Sequence, residues 1–87
     1  MTSNKICIPR IESNVTVNLV YEIFNKLNIG KIETITIVKK NHQKVFIEFK
    51  NWYDNERSNI IRERLSNDEA VNIMYQTPWF WKIKYAY

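Results

Sequence analysis

The sequence predicts a small α+β domain with elements in the order β-α-β-β-α-β and one extra short strand before the last. Three observations carry this: several short runs alternate apolar with polar residues, two longer runs repeat at helical spacing, and turn-forming residues separate them. A chain of 87 residues, 45% of them hydrophobic, has material for one core, so residues 1–87 read as a single domain.

Residues 5 to 8 make the first strand, closed by Pro9, which cannot donate to a ladder. Val17, Val20, Phe24 and Leu27 then recur at spacings of three and four, with Ile23 widening the stripe. This is an amphipathic helix with Thr16 or Asn14 as N-cap, ending near Asn28 and punctuated by Gly30, the only glycine. Residues 32 to 38 are rich in Ile and Thr, with Ile35 and Ile37 turned inward, and the polar residues 39 to 43 suit a hairpin. Val45, Ile47 and Phe49 alternate in the third strand.

A second helix follows, capped by Asp54 or Asn55. Ile60, Ile61 and Leu65 form its buried stripe, Arg57, Arg62, Glu63 and Arg64 its wet face, and Asn67 its left-handed stop. Val71, Ile73 and Tyr75 alternate again, Gln76-Thr77-Pro78 reads as a turn, and residues 79 to 85 form the last strand. Two helices on one face of an antiparallel sheet give the ferredoxin-like split βαβ arrangement.

Composition narrows the function. One cysteine, Cys7, permits no internal disulfide, and one histidine leaves no Cys/His set at metal-ligand spacing, so no cofactor or metal is expected. The first residues lack a signal-peptide run, and no apolar stretch approaches the roughly 20 residues that cross a bilayer. An intracellular, non-secreted protein with no membrane contact is the expectation. Arg10 has no phosphate-cradling loop beside it, and no nucleophile, base and orienter converge, so an enzyme is not expected. A net charge of +4 permits a polyanionic partner.

Strand parity says where such a partner would sit. With Val45, Ile47 and Phe49 under the helices, His42, Lys44, Phe46 and Glu48 turn to the open face of the sheet. Cys7, Thr34, Thr36, Val38, Phe80, Lys82 and Lys84 join them there. Lys5, Arg10, Lys39, Lys40 and Lys50 can rim that face, whereas Glu22, Glu56, Glu63 and Asp68 lie on or beside the helices. Plainer readings stand beside these: Lys39-Lys40 as a solvated hairpin pair, His42 as a lone surface histidine, Cys7 as a small hydrophobe. Trp79 and Trp81 share the parity of Ile83 and Tyr85 and read as core, and Trp52 reads as a staple ahead of the second helix. An exposed tryptophan would instead put a protein partner first, through Trp79, Phe80 and Trp81 or through the helix face.

His42-Gln43-Lys44-Val45-Phe46-Ile47-Glu48-Phe49 resembles the octamer of the RNA recognition motif family, with Phe46 and Phe49 at its fifth and eighth positions. Ile6-Cys7-Ile8-Pro9-Arg10-Ile11 resembles the family's hexamer, Gly30-Lys31-Ile32 falls where the family places a glycine before strand two, and Lys82 to Ala86 is similar to its last strand. The Ile-Pro-Arg start and Pro-Trp-Phe-Trp-Lys finish also resemble RNA recognition motif proteins of large DNA viruses. Two positions depart: Cys7 and Lys44 stand where the family carries stacking rings, which leaves Phe46 alone of three.

The resemblance implies single-stranded RNA as partner. Phe46 and Phe80 would be the stacking rings, and Lys44, Lys82, Lys84, His42, Arg10, Lys39 and Lys40 the polar and basic contacts. One or two rings with a few cations imply weak, salt-sensitive binding.

Overall fold

Alternation becomes strands and helical spacing becomes helices in the computed structural model, which describes residues 4–76 and 79–86. In chain order they are β1 (Lys5–Ile11), α1 (Val17–Leu27), β2 (Gly30–Lys39), β3 (Gln43–Trp52), α2 (Glu56–Ser66), β4 (Val71–Gln76) and β5 (Trp79–Tyr85). The strands form one open sheet in the order β2-β3-β1-β5-β4, with antiparallel neighbours throughout. β1 is thus the central strand and β4 an edge.

One side of the sheet supplies Ile6, Ile8, Val45, Ile47, Phe49, Ile73, Trp81 and Ile83 to a core completed by Val20 and Phe24 of α1 and Ile61 and Leu65 of α2. Each such side chain contributes about 1.5–3 kcal/mol when fully buried. A one-residue slip of β3 would turn Val45, Ile47 and Phe49 away from the helices together, so the register is strongly specified.

β1 does not stop at Pro9. Its pairing with β3 steps from Ile8 opposite Val45 to Ile11 opposite Gln43, which leaves one extra residue on β1. The bulge takes Pro9 out of the ladder, and the missing N–H breaks no pairing.

In α1 the Thr16 side-chain oxygen accepts from the Leu19 N–H at 3.2 Å. Asn28 ends the helix in the left-handed conformation at φ 57°, a role the sequence assigned to Gly30. Gly30 instead opens β2, where a Cβ would lie 2.8 Å from the Phe49 ring and 2.9 Å from the Asn51 carbonyl oxygen. Close approach, not backbone freedom, requires glycine there. Val17 is exposed; α1 meets the sheet first at Val20, and its opening turn projects into solvent.

Of the two candidate caps Asn55 takes the role, accepting from the Ser58 N–H at 2.8 Å. α2 differs from expectation at two places. Ile60 is exposed, and the buried stripe is Ser58, Ile61 and Leu65, because Ile60 lies about 100° around the helix from Ile61. Ser58 is tolerated there because its hydroxyl donates to the Ile29 carbonyl at 2.8 Å. The left-handed residue after α2 is Asp68 at φ 62°, while Asn67 has φ −89°; both are short polar residues that tolerate that region.

The β4–β5 pairing shifts between Met74 opposite Phe80 and Gln76 opposite Trp79. The extra residue lies on β4, so Trp79 keeps the parity of Trp81, yet as the first residue of β5 it is 61% exposed where Trp81 is 2%. The expected core role therefore fails for Trp79. Trp52 is half-buried at the end of β3, with its ring 4.5 Å from that of Phe49. Thr77 and Pro78 of the expected turn lie outside the described residues.

Candidate nucleic-acid interface

Alternation in β3 puts Lys44, Phe46 and Glu48 on the side of the sheet away from both helices, and pairing aligns the neighbours. Thr36, Phe46, Cys7 and Lys84 form one row across β2, β3, β1 and β5. Val38 faces Lys44 in the next row, and Thr34 and Lys5 flank Glu48 on the other side. Phe46 is half-buried in the middle strands, with the Lys5 ammonium 5.5 Å from its ring centroid. The ring already carries a cation, which suits a site for a flat, electron-rich group.

Beside the ring lies a shallow depression of about 270 Å³ bordered by Cys7, Pro9, Lys44, Phe46, Lys84 and Ala86. Cys7 is its floor. Burial pushes the thiol above its ordinary pKa, against the opposing pull of Lys84 and then Lys44. It stays a neutral, packed group at physiological pH, and it reports that two ammonium groups act on the centre of this face.

A second depression of about 530 Å³ lies toward the far end of β5, bordered by Pro9, Arg10, Ile11, Glu12, Phe80, Trp81 and Lys82. The structure thus groups the expected residues in two sets, Phe46 with Lys44 and Lys84, and Phe80 with Arg10 and Lys82. Phe80 is exposed, as parity requires.

Other expected contacts fall elsewhere. Lys40 and His42 sit in the turn between β2 and β3, and Lys39, opposite Gln43, has the parity of the helix side. His42 therefore does not share the floor with Lys44: the strand begins one residue after it, at Gln43. Lys5 over Phe46 was named only as a rim residue, although its parity with Cys7 signals the floor position. The helix side is electrically mixed, with Lys26, Arg57, Arg62 and Arg64 interspersed among Glu22, Glu56 and Glu63.

A polar fastening holds the end of this face. The Tyr75 hydroxyl donates to the Glu12 carboxylate at 2.9 Å, and the Gln43 side-chain amide donates to the Glu12 backbone carbonyl at 2.7 Å. β1, β3 and β4 are tied there. The backbone amide of Glu12, then the Tyr75 hydroxyl, holds its carboxyl below the ordinary range despite some burial; desolvation and the same carboxylate push the Tyr75 phenol up.

Among the described residues no group of three or more His, Cys, Asp or Glu side chains could hold a metal ion, and no helix is long and apolar enough to cross a membrane. No family model matches the sequence, and no curated protein or solved structure matches it either.

Proposed function

We propose that the protein binds single-stranded RNA weakly and without catalysis across the open face of its sheet. The observation that carries this is Phe46, held in the middle of a helix-free face with Lys44, Lys84 and Lys5 around it. A base stacked on such a ring gains roughly 1–3 kcal/mol, and the ammonium groups suit phosphates on either side. The element order, the strand order and the octamer ending in Phe49 support reading the chain as a ferredoxin-like domain of RNA recognition motif type. With Cys7 and Lys44 in place of stacking rings, binding is micromolar. The reading carries with it an intracellular setting, where single-stranded RNA and reduced thiols occur together.

The test is a fluorescence titration with short labelled single-stranded RNA at several salt concentrations. Micromolar binding that weakens with salt and is lost in Phe46→Ala is expected; affinity unchanged by Phe46→Ala, or no binding below about a millimolar, overturns the proposal.

The exposure of Trp79 favours a second reading, a protein-interaction site, since an indole left in water is uncommon and tryptophan is enriched at binding hot spots. By the criterion set in the sequence, this puts a protein partner first for the end of the β4–β5 hairpin. It does not displace RNA from the sheet centre, which is a different surface.

A further inference from the structure

We propose that the bulge in β1 builds a second nucleotide station on the open face, in which a guanine of the same RNA strand stacks on Phe80 between Arg10 and Glu12. The station lies on the RNA path proposed above and rests on that reading. Ile8 lies opposite Val45 and Ile11 opposite Gln43, and both isoleucines are buried on the helix side. Pro9 and Arg10 therefore share the space opposite Lys44, a residue of the open face. Unbroken alternation would send Arg10 toward the helices. The bulge re-aims it, and Arg10 is exposed beside Phe80 and Lys82 on the depression of about 530 Å³. Pro9 borders this depression and the one beside Phe46, which joins them into one path.

The side chains around the station differ in what they offer. Phe80, 46% exposed, presents a ring face on which any base can stack. Arg10 presents a fork of N–H donors, and ionised Glu12 a carboxylate that only accepts. That carboxylate takes the Tyr75 hydroxyl at 2.9 Å, and it stays charged at neutral pH because its carboxyl is held below the ordinary range. A carboxylate has capacity for further donors. Guanine matches both groups: its O6 and N7 accept as a pair, as the guanidinium fork requires, and its N1–H and N2–H donate as a pair from another edge. Adenine offers Arg10 one acceptor beside an amino donor, and the pyrimidines carry no N7. Lys82 borders the same depression and suits the adjoining phosphate.

Spacing sets the length of strand required. Phe80 precedes Lys84 by four residues on β5, and Lys84 stands in the row of Phe46 two strands away, so the two rings are about 16 Å apart. Even a strand drawn out to twice the stacked repeat of about 3.4 Å puts at least one nucleotide between them. A dinucleotide cannot reach both.

Fluorescence titration of the full chain with labelled hexauridylate, and with hexanucleotides that carry a single guanine at each position in turn, tests this. The expected result is a position at which guanine tightens binding about tenfold. Deazaguanine lacking the N7 acceptor should lose most of that gain with the protein untouched. Arg10→Lys keeps the charge and loses the fork, and Phe80→Ala loses the ring; each should erase the preference, whereas Phe46→Ala should weaken plain and guanine-bearing strands alike. Equal affinity for guanine and uracil at every position, or a preference that survives both the deazaguanine and Arg10→Lys, overturns the station. Plain hexauridylate that still binds through Phe46 would then leave the RNA reading standing, and no binding by any strand ends both.

Discussion

Phe46 and Phe49 stand three residues apart in one strand and have opposite duties. Phe49 is 1% exposed and packed beneath the helices, against Trp52 and close to Gly30, whereas Phe46 faces out beside Lys5. Phe49→Ala should therefore cost about 3–5 kcal/mol of stability in chemical denaturation. Phe46→Ala should spare most of the stability and cost about 1–3 kcal/mol of RNA affinity. Period-two alternation made this difference readable, because a side chain's face follows from its parity once one neighbour is known to be buried. Parity names a side of the sheet and not the depth of cover: Trp79, the first residue of β5, shares the parity of buried Trp81 and is still exposed.

Elements were legible as far as propensity and spacing reach, and their ends were decided by backbone demands that several residues could meet. Asn28 in place of Gly30, and Asp68 in place of Asn67, are choices among neighbours that all tolerate the left-handed region. Ser58 is the instructive case in α2. A hydroxyl gave no apolar signal, yet it occupies the buried stripe by satisfying the Ile29 carbonyl. Ser58→Ala should lower stability by about 0.5–1.5 kcal/mol, since the Ile29 carbonyl loses one of two donors and keeps the Tyr53 N–H; thermal unfolding would show it.

The Glu12–Tyr75 contact makes a prediction in pH. The folded carboxyl is held below its unfolded value, so its stabilising effect is complete above the ordinary glutamate range and fades as pH falls through the lowered one. Amide protection in β4 and β5 should drop more than elsewhere in the sheet as pH falls below the ordinary glutamate range. Tyr75→Phe should reduce the difference without abolishing it, since the backbone amide of Glu12 is the larger cause and remains. Gln43 keeps its bond to the backbone of Glu12 in acid, so the hairpin loosens without detaching.

At the scale of the molecule, charge is divided by the sheet. Lys5, Lys44, Lys82 and Lys84 share the face that bears Glu48 as its acid, and the helix side carries both signs together. If Lys44, Lys82 and Lys84 each meet one phosphate, the logarithm of affinity should fall against that of salt with a slope of about −2. Lys84→Ala should reduce the slope to about −1.4; an unchanged slope would place the RNA elsewhere. A net charge of +4 already permitted a polyanion, but only the pairing of β1 with both β3 and β5 shows which lysines stand together.

That central pairing joins residues from near opposite ends of the chain: Cys7 lies beside Lys84, and the Ala86 N–H donates to the Lys5 carbonyl at 2.9 Å. During synthesis β1 emerges first and must wait for almost everything else before its second flank is covered. An unfinished chain therefore presents Ile6 and Ile8 on a strand with a bare margin, open to pairing with any other nascent chain nearby. Truncation within β5 should consequently give aggregation in the cell, not a smaller soluble domain.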